Sequence, residues 1–175
     1  MRVFRCFAFV DMCGFTRMND TLGDEEAVAV LSAFRGLVRD IAPEHGIRVG
    51  QWRGDGAMFV ATETGPVVDT MLDLVLHLGS ADIVLPLRVG IASGDVLLFE
   101  GDDFIGMSIN LASRLSDIAA PGEILCTADV VEQMGDEVVA VPLGARAIPG
   151  LVAPLEIWRI AIPEPADELP LSFAE

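Results

Sequence analysis

Two acidic side chains stand where strands could deliver them to one cation. The first is Asp11. It follows the apolar run Phe7, Ala8, Phe9 and Val10, and a turn through Met12, Cys13 and Gly14 comes next, then Phe15 and Thr16. This pattern reads as a buried strand ending in a carboxylate at the edge of a sheet. Gly14 permits a tight turn and a close approach of backbone to ligand. Chain-turning amides beside a carboxylate can hold a metal ion and a phosphate together. The second acid is Asp55, between Gly54 and Gly56 and between two strand-like runs. A plain structural role stays open for each. Asp11 would serve as a helix cap or turn residue, and Asp-Gly is the strongest short hairpin signal.

A second pair is Asn110 and Arg114, inside a predicted helix from Gly106 to Ile118. Four residues apart, they share one helix face, one turn from each other. At this level a solvated helix face is the ordinary reading of such a pair.

The elements needed to position these groups follow from periodicity. Val3 to Val10 predicts a strand buried on both faces. Asp24 is placed to cap a helix running to about Ala42, with Val28, Leu31, Phe34, Val38 and Ile41 inward and Pro43 ending it. Ile47 to Arg53 and Ala57 to Ala61 predict a hairpin with Asp55 at its tip. Thr64 and Gly65 start a helix with Pro66 in its first turn and an inner stripe of Val67, Met71, Leu74, Val75 and Leu78. Leu87 to Ala92 is a strand with Arg88 outward, which Ser93, Gly94 and Asp95 turn or bulge before Val96 to Phe99. Glu100 to Asp103 is an acidic loop. This order is the ferredoxin-like split arrangement βαββαβ, an α+β fold. The Gly106 helix, a short strand Glu123 to Cys126, a helix capped by Thr127 and a strand pair (Val138 to Val141, Leu155 to Ile160) extend it at the C-terminus. Residues 1–162 form one expected domain, and 163–175 an expected loose tail.

Composition narrows the function classes. The chain has 175 residues, 52% hydrophobic and 22% charged, enough for one globular domain with a sizeable core. A net charge of −16 argues against nucleic acid or an anionic membrane as partner. It also makes an anionic substrate awkward unless divalent cations accompany it. No apolar run reaches membrane-span length and no basic leader precedes an apolar core, so a cytoplasmic protein is expected. Cys6, Cys13 and Cys126 lack metal-ligand spacing and read as free thiols in a reducing compartment.

Five segments taken together resemble the class III nucleotidyl cyclase catalytic domain, in its compact bacterial form. They are FVDMCGFT, RGDGAMF, RVGIASGDV, GDDFIGMSINLASRLSDIAAPGEI and GLVAPLEIWRI, in that order and with the family's spacing. The resemblance runs from about Phe4 to Arg159. It implies that Asp11 and Asp55, with the backbone carbonyl of Met12, bind two Mg2+ or Mn2+ ions. It implies that amides of Gly14, Phe15 and Thr16 hold the triphosphate, that Asn110 orients the ribose, and that Arg114 stabilises the transition state. It further implies a homodimer with active sites at the interface, the metal residues coming from one subunit and the Asn110/Arg114 pair from the other.

Two positions depart from the family. Where adenylate cyclases usually carry a base-reading lysine, this chain has Gln51, although Asp103 matches the accompanying aspartate. Glutamine can both donate and accept, so ATP is expected over GTP, for which a glutamate would be expected at position 51. Where a phosphate-gripping Lys-Gly pair is common, this chain has Pro149 and Gly150, with Arg146 three residues earlier as a candidate substitute. The rival readings are a nucleotide-binding or dimerisation module without turnover, a guanylate cyclase, and a diguanylate cyclase on a related core.

Overall fold

A computed structural model describes residues 1–78, 85–101 and 103–163. The expected tail therefore lies almost wholly outside the described residues. In chain order the elements are β1 (Arg2–Met12), α1 (Phe15–Leu22), α2 (Asp24–Glu44), β2 (Val49–Arg53), β3 (Gly56–Ala61), α3 (Thr64–Leu78), β4 (Leu87–Phe99), β5 (Asp103–Ile105), α4 (Met107–Ile118), β6 (Ile124–Thr127), α5 (Ala128–Gln133), β7 (Ala140–Arg146) and β8 (Leu155–Ile160). The strands form one sheet in the order β2-β3-β1-β4-β6-β8-β7, with β5 pairing onto β4. The first four positions, β2-β3-β1-β4, are all antiparallel. They are the ferredoxin-like core; β6, parallel to β4, begins the C-terminal extension.

Alternation along β1 sorts the core into two faces. Cys6, Ala8, Val10 and Met12 point into the larger cluster with Phe34 and Val38 of α2 and Met71 and Leu74 of α3. Phe7 and Phe9 point the other way, into a smaller cluster with Ala92, Val96 and Ala112 of α4. Thus α2 and α3 cover one face, as the split arrangement predicts, while α4 crosses the other. On its far side α4 meets the β7–β8 region through Leu115, Ala119, Ile148 and Ile157.

Several local features differ from the sequence reading. The helix α1 buries no side chain, so it carries no apolar stripe to read. Gly23, not Asp24, occupies the cap position of α2, with φ of 91°. Val28 is exposed and Ala27 takes its place inward. Pro43 lies inside the last turn of α2 and does not end it. A proline there forfeits one helical bond, and the burial of Ile41 and Ala42 keeps the turn in place. The strand β4 continues through Ser93, Gly94 and Asp95, in unbroken register with β1 from Arg2↔Leu97 to Met12↔Leu87. Thr127 sits at the cap of α5 but makes no cap bond, and its buried hydroxyl has no partner. Among the described residues no helix is long and apolar enough to cross a membrane.

The helix α4 lies directly on β4, and Gly90 makes that possible. A Cβ at Gly90 would stand 2.2 Å from the Ala112 carbonyl oxygen and 2.3 Å from the Ser116 nitrogen, both backbone atoms. Gly90→Ala should therefore push α4 off the sheet and cost roughly 1–3 kcal/mol, as overpacking does. Urea unfolding checks this; a midpoint equal to wild type would contradict the packing described.

Candidate active site

The site is built on one row of residues running across four strands. Asp11 in β1 lies opposite Gly56 in β3 and opposite Arg88 in β4. Gly56 in turn lies opposite Arg53 in β2. By alternation Asp11 shares the face of Phe7 and Phe9, the face that α4 covers. Arg88 donates to Asp11 Oδ2 through Nε at 2.9 Å and Nη2 at 2.6 Å. Its Nη1 donates to the Asp117 carbonyl at the end of α4, at 3.2 Å. The sequence reading turned Arg88 outward and missed this partner.

Asp55 is brought beside Asp11 by the β2–β3 turn. The Met12 N–H donates to the Asp55 carbonyl at 3.3 Å, tying the turn to the end of β1. From α2, Arg35 Nη2 donates to the Gly54 carbonyl at 3.4 Å. The guanidinium carbons of Arg35 and Arg39 lie 5.0 and 5.7 Å from the centre of the Trp52 ring, which meets Phe34 edge-on. The turn is thus clamped to the helix behind it. The Asp55 carboxyl is pushed above the usual carboxylate range, first by burial and then by the negative charge of Asp11.

These donors fit a hard divalent cation. Two carboxylates in mutual repulsion, with a backbone carbonyl at Met12, are oxygen ligands of the kind Mg2+ and Mn2+ take. Among the described residues no cluster of three or more His, Cys, Asp or Glu side chains could hold a metal. Two acids would leave an octahedral shell incomplete, and water or ligand oxygens would have to supply the rest.

Beside the acids stands the N-terminus of α1. Gly14 takes the left-handed φ of 82° at its cap. The helical ladder starts with Met18 N–H donating to the Gly14 carbonyl at 2.9 Å. The amides of Phe15 and Thr16 therefore have no acceptor within the helix. Sequence reasoning saw a turn here; the structure makes it a helix end, where amides and dipole favour an anion.

Asn110 and Arg114 open into a cavity of about 530 Å3 that also reaches Arg53, Pro149 and Gly150. The departing pair Pro149-Gly150 is therefore at the site. A Cβ on Gly150, whose φ is 88°, would lie 3.8 Å from Arg114 Nη2. Arg146 does not line this cavity; it is exposed and donates to the Leu143 carbonyl. Asp11 lines a separate, smaller cavity of about 200 Å3. Gln51 and Asp103 are both exposed, on β2 and β5, and neither lines the Asn110/Arg114 cavity. One protomer thus keeps Asp11 and the Asn110/Arg114 pair in neighbouring cavities that share Arg53, Ser113 and Asp117.

No protein-family model matches the chain. It is 32% identical over 159 residues to a protein named pH-sensitive adenylate cyclase from Mycobacterium tuberculosis, covering 87% of this chain and 39% of that protein. The adenylyl cyclase CyaB of P. aeruginosa superposes with a TM-score of 0.84 at 23% identity, over 94% of this chain and 96% of that one. The chain is a class III nucleotidyl cyclase domain. A guanylate cyclase domain from Catenaria anguillulae, solved with GTP, superposes with a TM-score of 0.83 at 19% identity, over 94% of this chain and all of that one. Fold alone therefore does not choose the purine. The cyclase domain spans about 40% of the length of the curated relatives it matches first.

The raised Asp55 carboxyl has a testable sign. Its folded-state pKa exceeds its unfolded one, so its contribution to stability is complete below the unfolded value and is lost as pH rises through the folded one. Without divalent cations, Asp55→Asn should raise the melting temperature of the cyclase domain at pH 7. The gain should vanish below about pH 4, where the acid is neutral in both states. An equal gain at pH 3 and pH 7 would contradict the repulsion described.

Proposed function

We propose that the chain converts ATP to 3′,5′-cyclic AMP and pyrophosphate, in a homodimer whose active sites each draw on both protomers. The supporting observation is the strand register that sets Asp11 beside the Asp55 turn while Asn110 and Arg114 face a neighbouring cavity on the same side of the sheet. Relatives named adenylate cyclase support the purine and the activity.

Asp11, Asp55 and the Met12 carbonyl would hold two Mg2+ or Mn2+ ions. Such ions lower the pKa of the ribose 3′-hydroxyl and offset the charge of the phosphates. The remaining work falls to the chain. Amides of Gly14, Phe15 and Thr16 at the start of α1 donate to phosphate oxygens. Asn110 of the second protomer orients the ribose, so that its 3′-oxygen lies in line with the α-phosphorus and the leaving pyrophosphate. Arg114 donates to the α-phosphoryl oxygens as negative charge gathers there. Gln51 donates to adenine N1 and Asp103 accepts from its exocyclic amine.

Incubation with ATP or with GTP, in Mn2+, followed by product identification, tests the reading: cyclic AMP should dominate. Asp11→Ala should bring turnover to background while the circular dichroism spectrum stays native; full turnover in that variant would reject the metal assignment. Gln51→Lys should sharpen the preference for ATP over GTP, and an unchanged preference would remove Gln51 from the base.

A further inference from the structure

The chain contains no lysine, and all 11 of its basic residues are arginines. Any cation that grips a phosphate must therefore be a guanidinium. Most of those near the site are engaged elsewhere. Arg88 is bonded to Asp11, and Arg35 and Arg39 hold Trp52. Arg146 lies outside the Asn110/Arg114 cavity.

Arg53 is differently placed. It lines both the Asp11 cavity and the Asn110/Arg114 cavity. Among the described residues no carboxylate forms an ion pair with it. Its guanidinium carbon lies 5.2 Å from the centre of the Phe9 ring, so an aromatic face supports it. It stands in the same transverse row as Asp11, separated only by Gly56. That gap is built into the sheet, because a Cβ at Gly56 would stand 2.3 Å from the Val10 carbonyl oxygen. Asp117 and Ser113 also line both cavities, but Asp117 lies toward Arg114, at 4.0 Å.

We propose that Arg53 contacts the triphosphate of the substrate, supplying the cation that Pro149 cannot. This rests on the function proposed above and adds a binding residue to it. With no carboxylate paired to it among the described residues, the Arg53 guanidinium keeps its donors available for an anion. A planar fork of N–H donors matches phosphate oxygens two at a time. Arg53 stands beside Asp11 on the protomer that supplies the acids, so it faces the phosphates that this protomer's metal site would hold. Stacking on Phe9 pre-orients the fork, so little freedom is lost on binding.

Calorimetric titration of the full chain in Mn2+ tests this, with inorganic triphosphate and adenosine as separate probes. Arg53→Gln should weaken triphosphate binding about tenfold and leave adenosine within about twofold. Arg53→Lys should recover part of the loss, and Arg146→Gln should bind both probes as wild type does. In turnover assays Arg53→Gln should raise KM for ATP about tenfold with kcat within about threefold, the mark of uniform binding. Arg53 is exposed, so an unchanged melting temperature is expected and guards against a folding artefact. The proposal is overturned if triphosphate binding is absent from wild type or unchanged in Arg53→Gln, or if adenosine weakens as much as triphosphate. A wild type that binds triphosphate through Arg53 but forms no cyclic nucleotide would sink the cyclase reading and leave the Arg53 site standing.

Discussion

Two carboxylates held at the end of one sheet repel each other, and much of the surrounding structure answers that repulsion. Asp11 is held in place because β1 is paired on both sides from Cys6 to Asp11. Asp55 cannot move far, because its turn is bonded to Met12 and clamped to α2 through Trp52. Burial first, and then the charge of Asp11, push the Asp55 carboxyl above the usual carboxylate range. Arg88, directly across from Asp11, supplies the nearest compensation, and the bond it makes is a charge-assisted one. Both partners are partly exposed, so the pair adds little to stability. Its importance is electrostatic and local. The divalent cations proposed for this site would relieve that repulsion and let an acidic chain accept a polyanion.

The backbone holds the remaining pieces at close quarters through glycine. Gly90 lets α4 rest on β4, which sets where Asn110 and Arg114 stand relative to the acids. Gly56 lets β3 press against β1 and opens the gap between Arg53 and Asp11. Gly14 turns the chain so that the first amides of α1 come next to the carboxylates. Each does so where a side chain would collide or the backbone takes a positive φ.

Much of this was legible in the chain, and the failures have physical causes. The βαββαβ order, the hairpin carrying Asp55 and the shared face of Asn110 and Arg114 all follow from periods of two and of three to four. The helix α1 was not legible, because none of its side chains is fully buried and Phe15 alone packs, partly buried, against the main core. Pro43 misled because the burial of Ile41 and Ala42 holds the last turn of α2 despite the helical bond that the proline forfeits. Arg88 was read as outward, which alternation allows, but its partner lies 77 residues away and only the register reveals it. Arg146 looked like the natural substitute near Pro149 because it is close in sequence. Besides Arg114, the guanidinium lining that cavity is Arg53, from a strand almost a hundred positions earlier, and no local pattern announces it.

The central claim is that each active site takes its acids from one protomer and its amide and guanidinium from the other. Mixing two separately inactive variants, Asp11→Ala and Arg114→Ala, tests it most directly. In a mixed dimer one of the two sites keeps all four groups, so cyclisation should reappear on mixing, up to about a quarter of the wild-type rate if protomers exchange freely. A mixture that stays silent, with exchange of protomers verified and wild type active, would contradict the account.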